Sequence, residues 1–338
     1  MLRINVPMFS QIVSLHELTD GEEGEFFSLL SDKQELTTKD GKPYHRVTFR
    51  DSVREVSFPI WNDAPLSKPC QNDWQIGEFF RVRAKYRETN YGPQLEIREI
   101  RIVKDSDAAD GFDPLMCQAR SRFDSQEMFD ELMKIANDGI KNKALRDLVA
   151  AIYESNRAEL LNLPAARRNH HAFAGGYLEH VRNVTRTSVY LADAYAIAYP
   201  DLSPPLEKGM VVAGALLHDI GKLRELRCLP TGGEYTAAGS LIGHVLQGRD
   251  ILREAAIGSK LDVETLLRLE HIIVSHQRLP EWGAPKPPMT PEALLVHYAD
   301  DIDAKFQMMV NVLATDANAG PVTSRRNVLG QAIYRGGE

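Results

Sequence analysis

The chain has 338 residues, 43% hydrophobic and 26% charged, which is enough for two domains with separate cores and is ordinary for a globular protein. Its net charge of −7 excludes a wholly basic nucleic-acid coat, so any polyanion site must be local. Cys70, Cys117 and Cys228 stand far apart with no CxxC spacing, which points to a reducing compartment and excludes a disulfide framework or a zinc knuckle.

Residues from about 10 to 104 read as β-structure. Phe26–Leu30 is a short apolar run, Asp40-Gly41 a turn, and Val47 and Phe49 share one face of the next strand. Val56, Phe58 and Ile60 alternate with polar residues, as do Phe80, Val82, Ala84 and Tyr86. After a turn at Asn90-Tyr91-Gly92, Leu95 and Ile97 resume the pattern. Ile100 and Ile102 are out of phase with them, which predicts a β-bulge near Arg98-Glu99. Roughly five short strands with one helical interruption in Pro65–Trp74 fit an OB-type barrel. Arg81, Arg83, Lys85 and Arg87 fall on the strand face opposite Phe80–Tyr86. That face is either a solvated surface or a groove for a phosphate backbone, with Tyr44, Trp61 or Tyr91 as stacking surfaces.

Asp105–Pro114 is acidic and turn-rich and reads as a linker, after which the chain turns helical. Apolar stripes mark helices over Gln126–Ala136, Leu145–Tyr153, Tyr177–Ala198, Leu206–His218, Leu241–Ala255, Val263–Ser275 and Glu292–Thr315. Thr231–Tyr235 reads as a loop near the site, and the tail from Ala317 as flexible.

The centre of the helical half is the stretch AGALLHDIGKLREL, Ala213–Leu226. It brings His218 and Asp219 side by side to the end of an apolar helix, next to Lys222. Neutral imidazole and ionised carboxylate are metal ligands, although a capping pair would look the same. His180, His244, His276 and Asp300 each lie in or beside another apolar helical pattern, and a bundle core is where such sites are assembled. His271, five residues before His276, falls on a different face and reads as structural.

With HHAFAGGYLEH at 170–180, LIGHVL at 241–246, HIIVSH at 271–276 and EALLVHYADDIDAK at 292–305, the HDIGK stretch resembles the HD-domain metal-dependent phosphohydrolases. The added β-rich half makes the chain similar to YhaM-type 3′→5′ exoribonucleases, which join an OB-fold to an HD domain. The resemblance implies an all-β OB-like barrel at 1–104, a linker at 105–125, an all-α HD-domain helical bundle at 126–316 and a flexible tail at 317–338. By the same similarity, His180, His218, Asp219 and Asp300 hold one metal, and Asp219 with His244 and His276 is the place for a second, so that the expected count is one or two ions. Dinuclear members often carry two adjacent histidines where this chain has His276-Gln277.

The donor set lacks thiolate and suits Mn²⁺, Fe²⁺, Co²⁺ or Ni²⁺. Asp219 and Lys222 are the expected catalytic residues, Lys222 facing either a phosphate oxygen or its own helix terminus. His170, His171 and Arg278 are candidate phosphate contacts. The implied activity is exonucleolytic hydrolysis of single-stranded RNA, with single-stranded DNA also open. A phosphohydrolase of nucleotides or cyclic dinucleotides, and a nucleic-acid-binding regulator with a vestigial site, are the other readings. No apolar run approaches the roughly 20 residues of a membrane span, and Met1–Ile12 lacks a signal-peptide apolar region. A cytoplasmic protein without membrane contact is expected, and a homo-oligomer is left open.

Overall fold

The computed structural model describes residues 12–38, 40–89, 92–167, 169–229, 232–316 and 320–337. Asn90, Tyr91, Thr231 and most of the N-terminal stretch fall outside them, so the stacking role expected of Tyr91 does too. The chain divides into two compact units, Met1–Ala119 and Arg120–Glu338.

The first unit is a five-stranded antiparallel sheet of β1 (Glu23–Thr37), β2 (Pro43–Arg50), β3 (Glu55–Trp61), β4 (Phe79–Thr89) and β5 (Gly92–Ile102), with the short helix α1 (Ser67–Asn72) between β3 and β4. The order is β3-β2-β1-β4-β5. β1 is long enough to serve two partners: Glu23–Leu29 pairs with β4 and Leu29–Thr37 with β2, with an irregularity between Leu30 and Asp32. This is the order of an OB-type barrel opened between β3 and β5. No ladder joins those two strands among the described residues, so closure into a barrel is not observed. Period-2 alternation holds where the sequence placed it: Phe80, Val82, Ala84 and Tyr86 are buried with Phe26, Phe49 and Trp74. The phase change in β5 is a bulge, because Arg83 faces Glu99 while Ala84 faces Ile97, leaving Arg98 unmatched.

The expected linker is instead folded onto this sheet. Asp107 is buried and its carboxylate binds Arg101 at 2.6 and 2.7 Å and Arg81 at 3.1 Å. The Phe112 ring sits 5.0 Å from Phe27 and 5.3 Å from Phe79. The acidic residues that suggested a solvated connector are there to meet arginines.

The second unit contains α2 (Ser125–Gly139), α3 (Lys143–Ser155), α4 (Arg157–Leu160), α5 (Gly176–Ala198), α6 (Lys208–Leu217), α7 (Lys222–Glu225), a hairpin of β6 (Leu226–Leu229) and β7 (Gly232–Tyr235), then α8 (Ala237–Ile242), α9 (His244–Ala256), α10 (Val263–Ser275) and α11 (Pro291–Thr315). Side-chain caps at Asp124, Asn142, Asp262 and Thr290 fix the starts of α2, α3, α10 and α11. Every residue of α6 from Met210 to Leu217 is buried, as an all-apolar helix must be. The single helix expected over 241–255 is broken at Gly243, so His244 opens α9 rather than lying within a longer helix. The segment 232–235, expected as loop, is a hairpin strand. The tail is ordered where described: Thr323 N donates to Ile333 O at 2.9 Å and Arg335 pairs with Asp316 at 2.7 Å.

Candidate metal centre

α5, α6, α9, α10 and α11 bring the sequence-predicted ligands together. α6 ends at Leu217, and His218 and Asp219 follow it into a tight turn at 218–221. Gly221 makes that turn possible beside α9, since a Cβ there would lie 1.9 Å from His244 O and 2.5 Å from Gly248 N. This close backbone approach sets His244 against Asp219.

Asp219 divides its carboxylate between two histidine groups. Its Oδ1 lies 3.2 Å from His244 Nε2 and 3.5 Å from His276 Nε2. Its Oδ2 lies 3.7 Å from His180 Nε2 and 3.8 Å from His218 Nε2, and Asp300 Oδ1 approaches His180 Nε2 to 3.2 Å. Both groups have the spacing of a metal-ligand cluster.

The far side of each imidazole fixes its tautomer. His218 Nδ1 lies 2.7 Å from Ala215 O and His276 Nδ1 2.7 Å from Ile273 O. A carbonyl only accepts, so those Nδ1 atoms carry the protons and each Nε2 keeps its lone pair. His180 Nδ1 meets Asp303 at 2.7 Å and His244 Nδ1 meets Glu225 at 3.0 Å, which orients them the same way. Asp219 Oδ1, His244 Nε2 and His276 Nε2 are buried without any hydrogen-bond partner. Three convergent, desolvated electron-pair donors are costly unless a cation satisfies them. The residues at Asp219 Oδ1 therefore fit a divalent ion, and the His180, His218 and Asp219 group at Oδ2 has ligand spacing for another.

The electrostatics agree. Burial lowers the His180 pKa, but Asp300 and Asp303 outweigh it and raise it to about 10, the mark of a site that attracts positive charge. Burial pushes His218 down to about 4, which keeps it a neutral ligand. Burial opposes the charge on Lys222, yet Asp219 and Glu225 hold its pKa above the usual lysine value. Its Nζ lies 3.0 Å from Glu225 Oε2.

Asp219, Lys222, His244, His276 and Asp300 line a cavity of about 760 Å³, with Gln277 also at its wall. A larger cavity of about 890 Å³ lies beside α2, α5 and α6, but no histidine lines it, and the chemistry belongs to the smaller one. His170 lines the metal-side cavity, its pKa lowered to about 4 chiefly by burial.

Two of the expected phosphate contacts are placed otherwise. His171 is buried, and its Nε2 lies 2.9 Å from Asp303 Oδ2, so it supports the residue behind His180 instead of facing a substrate. Arg278 is exposed and does not line this cavity. His271 accepts from Met289 N and is structural, as read from its spacing. Asp303 and Glu225, outside the sequence-predicted set, support His180 and His244. Asp303 follows Asp300 by three residues and so shares its helix face, a signal that was available.

The β4 cations do share one face, and three of them meet carboxylates. Arg81 pairs with Glu25, Asp107 and Asp110, Arg83 with Glu23, and Arg87 with Glu96. Lys85 makes no ion pair with a described residue. Tyr44 and Trp61 form a ring pair 5.0 Å apart, with Trp61 about half exposed.

The model of the HD domain family matches residues 177–305, and a family model described as "Putative helicase" matches residues 118–234. The chain is 30% identical over 305 residues to the 3′-5′ exoribonuclease YhaM of Bacillus subtilis, covering 89% of this chain and 90% of that one. The YhaM protein of Bacillus velezensis is also 30% identical, with the same coverage. The chain belongs to the YhaM family. The HD match spans His180, His218, Asp219, His244, His276 and Asp300, and it also contains Glu225 and Asp303. Membership in the YhaM family and the HD domain together assign the chain to the HD-domain hydrolases. The second OB-fold domain of replication protein A from Methanococcus maripaludis resembles 28% of this chain, with 96% of that chain covered, 16% identity and a TM-score of 0.22. No described helix is long and apolar enough to cross a membrane.

Proposed function

We propose that this chain is a divalent-metal-dependent exoribonuclease that shortens single-stranded RNA from its 3′ end. The reading is carried by Asp219, whose two oxygens face two separate groups of Nε2 donors within a chain of the YhaM family. His180, His218, Asp219 and Asp300 would hold one ion, and Asp219, His244 and His276 a second. Imidazole and carboxylate without thiolate suit Mn²⁺ first, then Co²⁺, Fe²⁺ and Ni²⁺. Such an ion lowers the pKa of bound water so that hydroxide is available near neutral pH.

The chain's own residues do the rest. Lys222, held charged beside Glu225, offers its ammonium to a non-bridging phosphate oxygen. His170, neutral and at the cavity wall, can hydrogen-bond the substrate without competing for the cation. Asp303 and Glu225 hold His180 and His244 in place so that no reorganisation is needed when substrate arrives. In the β-rich unit, the Tyr44–Trp61 pair offers a stacking surface for bases, and Lys85 on the β4 face a contact for phosphate.

The test is a product ladder from an end-labelled single strand, RNA or DNA, with and without added Mn²⁺. A ladder shortening stepwise from the 3′ end, abolished by chelator and by Asp219→Ala, is expected. Hydrolysis of a nucleotide or cyclic dinucleotide with RNA left intact would transfer the site to that substrate class. Full activity in excess chelator would remove the metal from the reading.

A further inference from the structure

The C-terminal segment reaches back to the metal-side cavity. Described from Gly320 to Gly337, it closes on itself: Val322 and Tyr334 form a bridge, Ile333 N donates to Thr323 Oγ1 at 2.9 Å, and Asn327 Nδ2 donates to Gln331 O at 2.7 Å. Arg335 ties this loop to Asp316 just beyond α11. Its tip, Val328 and Leu329, forms part of the cavity wall with Trp282 and Met308. The cavity lining therefore combines two chemistries. Asp219, Asp300, Lys222, Gln277, Asp301 and Lys305 are among its polar residues, and its apolar ones include an indole, a thioether and the two aliphatic side chains of the loop tip. Lys305 Nζ stands 5.9 Å from the Trp282 ring centre, and Trp282 itself is 49% exposed.

We propose that this apolar wall is the subsite for the base of the terminal nucleotide, so that the C-terminal loop selects an unpaired, base-bearing end. The inference rests on the nuclease reading above and adds a determinant to it. A nucleotide is itself two-sided, with an anionic phosphate and a flat, weakly polar base. With its phosphate at Lys222 and the histidine groups, its base is left to the apolar part of the same lining. An indole face and a polarisable thioether are suited to a base of any identity, since every base has a π-face. A cavity of about 760 Å³ has room for a nucleotide. A paired end would bring a second strand to the same wall, so occupancy by one base favours single-stranded ends.

Two experiments test it with the full-length protein. In the first, hydrolysis of a single-stranded RNA with an ordinary 3′ nucleotide is compared with the same strand ending in an abasic residue. The wild type should prefer the base-bearing end by about tenfold in kcat/KM, the size of one stacking contact. Trp282→Ala and Leu329→Ala should each bring that ratio toward one; both side chains are partly exposed, so folding should survive. In the second, adenosine 5′-monophosphate and ribose 5-phosphate are titrated in the presence of Mn²⁺, which needs no turnover. The wild type should bind the nucleotide about tenfold more tightly, and both variants should bind the two alike. Equal binding of the two ligands by the wild type, or a preference that survives both substitutions, overturns the subsite. Preferential nucleotide binding with no hydrolysis of either strand would keep the subsite and defeat the nuclease reading instead.

Discussion

Asp303 Oδ2 lies 2.7 Å from His180 Nδ1, across 123 residues of sequence, and the same oxygen lies 2.9 Å from His171 Nε2. The carboxylate thus aims His180 Nε2 at Asp219 and Asp300. Burial raises the Asp303 pKa, but the hydrogen bonds from His171 and His180 outweigh it and hold the carboxyl well below the usual range. Asp303→Ala should weaken metal binding about 10–100-fold while leaving the helices intact. Calorimetric titration with Mn²⁺ reads this directly, and activity should recover at high Mn²⁺. An unchanged affinity would show that His180 does not need this support.

Metal stoichiometry follows from the divided carboxylate of Asp219. Elemental analysis should find two ions per chain, and His276→Ala should retain one, because the His180, His218 and Asp300 side is untouched. Gln277→His should tighten the ion at the His244–His276 side, since Gln277 lines the same cavity as both. One ion in the wild type and two in Gln277→His would mean that this second group is incomplete as it stands.

The two proposed contacts in the β-rich unit should respond differently to salt. Trp61→Ala should cost about 1–3 kcal/mol in binding a long single strand, with the salt dependence unchanged. Lys85→Gln should weaken binding and reduce the slope of log K against log salt by about one. Affinities measured by fluorescence anisotropy at several salt concentrations separate the two. Identical slopes for Lys85→Gln and wild type would return Lys85 to a solvated strand position.

Arg81 and Asp107 belong to stability. The Asp107 carboxyl is held well below its ordinary value, first by the hydrogen bond from Arg101 and then by Lys104 N and Arg81, against the effect of burial. A depressed folded-state pKa contributes stability that is complete above the unfolded value of about 3.9 and is lost as pH falls through the folded value. Asp107→Asn should therefore flatten the acid limb of the stability curve below about pH 4. It should cost about 1.5–3 kcal/mol at neutral pH. Urea unfolding followed by Trp61 and Trp74 fluorescence checks both effects. An acid limb as steep as the wild type's would assign the effect to other carboxylates.

Local pattern in the sequence suffices to name the residues that gather around Asp219 and the strand faces that are buried. His218-Asp219 after an all-apolar helix, and His180, His244, His276 and Asp300 each beside an apolar stripe, need only local periodicity to be aimed inward. The bulge at Arg98 was legible for the same reason, because a one-residue slip inverts the alternation. What the tertiary structure decided are pairings between residues distant in sequence. Four cations on one strand face read equally as a phosphate groove or a solvated surface, and only the fold shows that β1, β5 and the 105–110 segment bring Glu23, Glu25, Glu96, Asp107 and Asp110 to three of them. Arg87 and Glu96 are neighbours only because the β4–β5 hairpin folds back on itself. His171 looked like a phosphate contact because its partner Asp303 lies 132 residues away, on α11. Alternation and helical period encode which way a side chain points. They carry no information about what the rest of the chain brings to meet it, and that is why the support at Glu225 and the C-terminal contribution of Val328 and Leu329 to the cavity lining emerge only from the fold.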